Sequence, residues 1–541
     1  MRSRSPSLSI HSKHEAPNAT VSQETIKRPF LVQQHPTQSQ SSLRLPSALR
    51  DSGIELQQYT HGPGNVNDAG QPWISGSLEV WMIGCFAIMA FMVSLDALIM
   101  VTTLKNISQI YDSSYPRDAT WPITVYFLLN IPIQRVAVAA TEMISRRFVL
   151  ISGISIFSIG VILLSAAPVL FPILLVGRGL QGMGSGVMTS VAPAMLTEMI
   201  PPQRRSRYNC AIFFAAALGV GLGPALGGVF LEDLAIWRWI YYISAPFCFI
   251  LLMSTPFAIR PVGEILGPKL SILSIDWTGI CFLMASLTAL VLGITWAGVP
   301  DQVTAWRTLF PLAAGIVCLV GTVMYERSGA SKPIFSFQVL KTSPVTFVCV
   351  FIHSLVMFIQ VFYVPEFLQG VYELSPSYMG ALLVPLTSTS LLVTAITGII
   401  TERFRAYRWA IWSGWALTIA SAGCMTIFSA STSLVICVIV LIVAGVGHGL
   451  VMSGSHTAIQ RMATSANVRD ALLLSNFIRT IAICVAVSAG GTTFQARFYS
   501  RLFQSNEVYA LTFRDIMYTS LVLAGLGGLL SLLLAWRKRS L

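Results

Sequence analysis

A few ionisable and amide side chains stand out because they lie inside long apolar stretches. Asp96 sits in Ser-Leu-Asp-Ala-Leu-Ile, and Arg178 and Gln181 share the segment Arg-Gly-Leu-Gln-Gly-Met-Gly. A charge at the centre of a membrane costs roughly 2.5–3.5 kcal/mol or more, so it usually marks a transport path or a buried pair. Burial favours a protonated carboxyl and a nearby cation favours the charged form, so Asp96 could take up a proton and release it. A purely structural role stays open for both charged residues.

Four further polar residues lie within or at the ends of apolar segments. Glu366, which follows Tyr-Val-Pro, is the best second acid for proton coupling, and the others are His353, His448 and Arg479. Polar side chains inside a membrane face the interior of the helix bundle, so each could line a cavity. Each could equally form a helix-end or interhelical hydrogen bond, and the sequence leaves both roles open.

Glycine and proline define a second pattern. The segment Gly-Val-Gly-Leu-Gly-Pro-Ala-Leu-Gly-Gly contains Gly219, Gly223, Pro224, Gly227 and Gly228. Small residues at short spacing let two membrane helices approach closely, and a proline bends or interrupts the helix that carries it. We therefore predict a tightly packed helix that acts as a gate rather than as a cargo contact.

Composition indicates an all-helical membrane protein. Of the 541 residues, 54% are hydrophobic and only 11% are charged, whereas soluble domains carry about 25% charged residues. A bilayer needs about twenty apolar residues per helix. We predict fourteen spans, near residues 80–104, 119–140, 148–167, 170–192, 209–230, 240–259, 274–297, 308–325, 344–367, 379–400, 409–429, 433–454, 473–493 and 516–536.

The distribution of basic residues predicts the orientation. Cytoplasmic loops of membrane proteins are enriched in Lys and Arg, and this bias places both chain ends in the cytoplasm. The net charge of +12 therefore indicates orientation and not nucleic-acid binding. The turn after the second span carries Glu142, Arg146 and Arg147 on the predicted cytoplasmic side. Asn106 begins an Asn-Ile-Ser sequon on the predicted outer side and is a candidate glycosylation site.

Two related halves are predicted from an internal echo. Gly445, Gly447 and Gly449 in the twelfth span repeat the glycine spacing of the fourth, and Ala-Gly-Gly in the thirteenth repeats the end of the fifth. Both echoes are shifted by eight spans. The predicted organisation is a disordered cytoplasmic tail, a six-helix half, a linker with two inserted helices, and a second six-helix half with a short cytoplasmic tail, at residues 1–78, 79–260, 261–342 and 343–541.

These motifs resemble those of a known family. The segment that begins at Arg178 resembles the fourth-span motif of the major facilitator superfamily, and the segment that begins at Gly219 resembles its fifth-span antiporter motif. Fourteen spans, together with Trp-Arg-Trp-Ile-Tyr-Tyr from Trp237, resemble the 14-span drug:proton antiporter branch, in the style of fungal multidrug and toxin exporters. The resemblance implies the major facilitator fold and export in exchange for protons. Asp96 matches the aspartate of the family's span-1 motif.

The resemblance implies that the inner turn with Glu142, Arg146 and Arg147 is an inner gate, but this turn departs from the family pattern. The family has Gly-x-Leu-x-Asp-x-x-Gly-Arg-Arg/Lys there, and this chain has Val138, Glu142 and Ser145 at the first glycine, the aspartate and the second glycine. Charge is kept, while two sites of close backbone approach are filled. The departure puts normal gating of the inner face in doubt, but not the fold.

The expected function is secondary active transport, as proton-coupled efflux of a small organic molecule such as a drug or a secondary-metabolite toxin. The alternatives are a facilitator or proton symporter of a nutrient or iron chelate, and a transport-inactive membrane sensor. The sequence has no P-loop, catalytic triad or metal-ligand spacing, so we expect neither an enzyme nor a cofactor or metal. The expected partners are a small-molecule substrate, protons and the lipid bilayer, around a multi-pass monomer of the plasma membrane rather than the vacuole.

Overall fold

The computed structural model describes residues 76–102, 120–166, 170–233, 236–259, 275–297, 304–328, 337–404, 406–464, 467–500 and 506–536. Residues 1–75 of the predicted tail, the Asn106 sequon and residues 261–274, 298–303 and 329–336 of the predicted linker region lie outside these ranges. The described helices are α1 Ser77–Ile99, α2 Trp121–Ala140, α3 Arg146–Ala166, α4 Phe171–Met199, α5 Pro202–Glu232, α6 Trp239–Tyr242, α7 Ala245–Ala258, α8 Trp277–Ala297, α9 Trp306–Ser328, α10 Phe337–Thr342, α11 Pro344–Tyr372, α12 Pro376–Arg403, α13 Arg408–Met425, α14 Leu434–Met462, α15 Val468–Ser500 and α16 Asn506–Trp536.

Each of the fourteen predicted segments is helical. Within the described ranges, twelve helical segments are long and apolar enough to cross a membrane, with α6 and α7 counted together as the segment Trp239–Ala258. The two other predicted segments correspond to α4 and α13, so the number of fourteen spans stays a prediction. The all-helical membrane fold itself is confirmed.

Proline explains several helix boundaries. It occupies the first turn of α2, α4, α5, α7, α11 and α12, where a missing N–H costs nothing because the first four amides have no partner within the helix. The predicted sixth span is two helices, α6 and α7, rather than one. Pro246 in the first turn of α7 cannot donate the hydrogen bond that would continue α6 into α7.

Helix packing follows one pattern twice. In the N-terminal group, which we define as α1–α7, the packed pairs are α1–α5, α2–α4, α3–α4, α1–α7 and α3–α7. In the C-terminal group, α11–α16, the corresponding pairs are α11–α15, α12–α14, α13–α14, α11–α16 and α13–α16. The two groups meet where α5 packs on α12 and α2 packs on α15, while α8 and α9 pack on each other and α8 touches α2 and α15.

The glycine echo occupies matching places in this packing. Gly182 lies against the backbone of α2, and Gly445 lies against the backbone of α12. Gly184 lies against α3, and Gly447 lies against α13. A side chain at any of these positions would meet neighbouring backbone atoms, so each glycine permits a close helix approach.

A buried charge cluster beside a central cavity

Asp96, Arg178 and Gln181 come together as one hydrogen-bonded set, which we call the Asp96 cluster. Nη1 of Arg178 lies 2.9 Å from Oδ2 of Asp96 and 2.8 Å from Oε1 of Gln181. Nε2 of Gln181 donates to Oδ1 of Asp96 at 2.9 Å. All three side chains are fully buried. Because Arg178 and Gln181 are one helical turn apart on α4, both reach the same carboxylate on α1.

The aromatic ring of Tyr126 on α2 forms another wall of the cluster. The guanidinium carbon of Arg178 lies 4.6 Å from the centre of this ring, which is a cation–π contact. Nε and Nη2 of Arg178 have no hydrogen-bond partner within the described part of the chain. A buried donor without a partner costs about 1–3 kcal/mol, so the cluster is not arranged for maximum stability.

The predicted gate glycines position α5 against the helix that carries Asp96. Gly219, Gly223 and Gly227 form a stripe with a spacing of four residues, and they face backbone atoms of Phe91, Leu95 and Ile99 on α1. A side-chain carbon at Gly223 would lie 2.7 Å from the carbonyl oxygen of Leu95. Only glycine allows this approach. The contacts at Leu95 and Ile99 lie before and after Asp96 along α1.

The other face of α5 packs on α12 and joins the two groups at their predicted outer ends. A side chain at Gly228 would meet the backbone of Pro376, and one at Gly380 would meet the carbonyl group of Pro224. One turn beyond, Ser375 donates a hydrogen bond of 2.9 Å to Glu232. The glycine–proline segment is therefore a packing device between α1 and α12.

The predicted inner gate takes part in an ion-pair network across the groups. Arg469, at the start of α15, lies 2.8 Å from Glu198 and 3.6 Å from Glu142. Arg146 also binds Glu198, at 2.5 Å. The side chains of these residues are partly exposed, and Arg147, the next residue of α3, is half-buried. Glu142 thus keeps an ionic contact despite the altered residues around it.

A cavity of about 320 Å³ lies between the two groups. Its wall is mostly apolar, and its residues come from α1, α4, α5, α12, α14 and α15. A second cavity of about 260 Å³ shares Thr197, Asn209, Phe213 and His456 with the first, and reaches Glu402 at the predicted cytoplasmic end of α12. The two cavities together describe a path that leads toward the predicted inner face.

The Asp96 cluster does not line this central cavity. The wall includes Val93 and Ser94 on α1 and Met188 and Thr189 on α4, whereas the three cluster residues are not part of it. Of the other sequence candidates, Arg479 lines the cavity. Glu366 is half-buried on α11, in electrostatic contact with Tyr363 and Tyr509, and lies on the wall of neither cavity.

A second polar cluster lies inside the C-terminal group, which sequence reasoning did not assemble. Nε2 of His448 lies 2.9 Å from Oε1 of Gln360, and Nδ1 of His448 lies 3.3 Å from Nε2 of His353. All three side chains are buried, and we call them the His448 cluster. The glycine echo could have identified Gln360. Gly227 packs on Ile99 of α1, and its counterpart Gly490 packs on Tyr363 of α11. Asp96 lies three residues before Ile99, and Gln360 lies three residues before Tyr363, so the two residues hold equivalent positions.

Membrane-length helices in two similarly packed groups, an ion pair buried within one group and a cavity between the groups are features of a polytopic transporter. Residues 83–487 match the family model of the Major Facilitator Superfamily. The chain therefore belongs to this superfamily, and it is a multi-pass membrane protein.

Curated relatives and solved structures agree with this assignment. The chain is 29% identical to the acurin A biosynthesis cluster MFS-type transporter of Aspergillus aculeatus, over 73% of this chain and 71% of that one. It is 26% identical to the MFS-type efflux pump LUC4 of a Fusarium species, over 89% and 84% of the two chains. A POT family transporter in complex with 5-aminolevulinic acid superposes with a TM-score of 0.57 at 15% identity, covering 82% of this chain and 94% of that one. This last likeness concerns the fold alone.

Proposed function

We propose that the protein exports a small, largely apolar organic molecule in exchange for protons. The observation that carries the proposal is the fully buried Asp96 cluster on α1 and α4, next to the α5 glycine stripe. A carboxylate and a guanidinium deep in a membrane bundle are costly unless they serve transport or bind each other. Here they bind each other, and two donors of the guanidinium still have no hydrogen-bond partner among the described residues.

The geometry suggests how a proton would act. Proton uptake by Asp96 removes the charge that holds Arg178, so the pair at 2.9 Å weakens and α1 can shift relative to α4. Glycine contacts tie α1 to α5, and α5 packs on α12 of the other group. A shift of α1 would therefore bias the packing between the two groups, which is the movement that alternating access requires.

We also propose the two-half organisation. The matching helix pairs of the N-terminal and C-terminal groups support two repeats at 79–260 and 343–541, and α8 and α9 pack on each other as an inserted pair would. The cargo would bind in the cavity between the halves. The printed names of the relatives, a biosynthesis-cluster transporter and an efflux pump from fungi, support export of a secondary metabolite. Residence of a monomer in the plasma membrane is part of this proposal.

A transport assay in yeast cells tests the proposal. Cells with and without the protein are loaded with a panel of fluorescent lipophilic compounds, and their accumulation is followed before and after addition of a proton uncoupler. We expect the protein to lower accumulation of at least one compound and the uncoupler to remove the difference. Export that continues at its full rate in uncoupled cells would exclude proton coupling.

Two variants separate the steps. Asp96→Asn keeps the size of the side chain and removes its proton exchange, so net export should fail while exchange of cargo between equal concentrations continues. Glu507→Gln removes an equivalent charge at the exposed start of α16 and should export as wild type. Unchanged export by Asp96→Asn would indicate facilitation instead.

A further inference from the structure

One cation on the wall of the central cavity lacks a counter-charge. Arg479 of α15 lines the cavity, and it forms no hydrogen bond or ion pair with any residue that the structure describes. The described residues of the wall include no Asp or Glu. The cavity therefore presents a single uncompensated positive charge to whatever enters it.

Two other arginines at or near the cavity differ from Arg479 in having an acidic partner. Arg469 touches the same cavity but is bound by Glu198 at 2.8 Å, and Arg178 is bound by Asp96 at 2.9 Å. His353 and His456 both interact electrostatically with Arg479, and neither can supply a negative charge. Arg479 thus differs from Arg469 and Arg178 in having no acidic partner among the residues that the structure describes.

The rest of the wall fixes the kind of molecule that fits. Phe86, Met89, Phe213, Leu391 and Met452 supply apolar surface, and Asn209, Asn476 and His456 supply neutral hydrogen-bonding groups. Methionine and aromatic side chains adapt to apolar ligands of varied shape. A guanidinium binds a carboxylate with two parallel hydrogen bonds, and this pairing is strongest where water is excluded.

We propose that the cargo combines an apolar body with a carboxylate or similarly acidic group, and that Arg479 binds the anion. This inference rests on the proposed function in placing the cargo within this cavity. The volume of about 320 Å³ limits the bound part of the molecule to a compact ring system or a short chain. A neutral molecule of the same shape would leave the guanidinium without a partner and bind more weakly.

A matched pair of probes tests the proposal on the purified full chain. The chain is placed in phosphatidylcholine nanodiscs, so that no anionic headgroup competes, and its dissociation constants for 1-naphthylacetate and 1-naphthylacetamide are measured. We expect the anion to bind at least about tenfold more tightly, a ratio that corresponds to one charge-assisted contact. Arg479→Gln should bind both probes alike, at the wild-type affinity for the amide, and Arg479→Lys should keep part of the preference.

Arg307→Gln is the matched control, because it removes the same charge from the exposed start of α9, and it should keep the full preference. Equal affinities in the wild type, an unchanged ratio in Arg479→Gln, or no binding of either probe would each overturn the proposal. Failure of the proposed function is distinguishable, because charge-selective binding without uncoupler-sensitive export would refute proton-driven efflux and leave this inference standing.

Discussion

The two polar clusters join corresponding helix pairs of the two groups and differ in charge. The Asp96 cluster joins α1 to α4 through a carboxylate and a guanidinium, and the His448 cluster joins α11 to α14 through imidazoles and an amide. Both are buried. The packing scaffold is thus shared by the groups, while among the described residues an ion pair joins these helices only in the first group.

The difference in charge between the two clusters indicates which helix group can respond to a proton. Uptake of a proton by Asp96 would cancel a charge that holds two helices together. A neutral cluster holds its helices by hydrogen bonds alone, which contribute about 0.5–1.5 kcal/mol each. The first group is therefore the natural place for a proton-driven change, and the second is the natural place for a stable frame.

The largest expected effect comes from removing one member of the charged pair. Arg178→Gln leaves the carboxylate of Asp96 buried without its cation, and breaking a buried pair in this way costs about 3–5 kcal/mol. Thermal unfolding in detergent should show this loss. The double variant Asp96→Asn with Arg178→Gln should be more stable than Arg178→Gln alone, and strictly additive effects would contradict a direct pair.

Gly227→Ala tests the scaffold on the charged side and should cost about 3 kcal/mol, because the added methyl meets the backbone of Ile99. Gly490→Ala, its counterpart, meets the ring of Tyr363, so a second change of Tyr363 to Leu should restore stability there. Gly525→Ala is the control, since nothing lies within 4 Å of the added carbon. Full rescue of Gly227→Ala by trimming Ile99 would show that the clash is not with the backbone.

His448→Leu tests the neutral cluster and should cost about 2 kcal/mol, because it leaves Oε1 of Gln360 buried without a donor. His448→Gln can still donate and should lose less. The expected order, with Arg178→Gln more harmful than His448→Leu, is measured in the same unfolding assay. A reversed order would mean that charge is not what separates the two clusters.

The smallest effect is expected at the inner ion-pair network. Glu142→Gln should change stability by less than about 1 kcal/mol, because partly exposed ion pairs are screened by solvent. Glu198→Gln should be more harmful, since Glu198 binds both Arg146 and Arg469. Raising the salt concentration should reduce both effects and leave that of Arg178→Gln unchanged, because the latter pair is fully buried.

Sequence reasoning reached the fold and the first cluster for physical reasons. Helix length and apolar composition follow from the bilayer, and a charge inside an apolar segment is conspicuous. Gln360 was not identified from the sequence, because an uncharged amide in an apolar segment is a weaker signal than a charged side chain. The set of residues that forms the cavity wall could not be predicted from the sequence. Arg479 and Asn209 are far apart in the chain, and whether they line the same cavity depends on how whole helices pack. The assignment of Asp96 to proton coupling stays a prediction.

The two glycine faces of α5 have a consequence for how this helix tolerates change. Gly219, Gly223 and Gly227 face α1, while Gly221 and Gly228 face α12. One helical residue turns the chain by about 100°, so inserting a single residue before Gly223 would rotate Gly223 and Gly227 away from α1 and Gly228 away from α12 at once. A length change in this short segment should be far more damaging than most point substitutions, because no single compensating mutation could restore the packing of α5 against both α1 and α12.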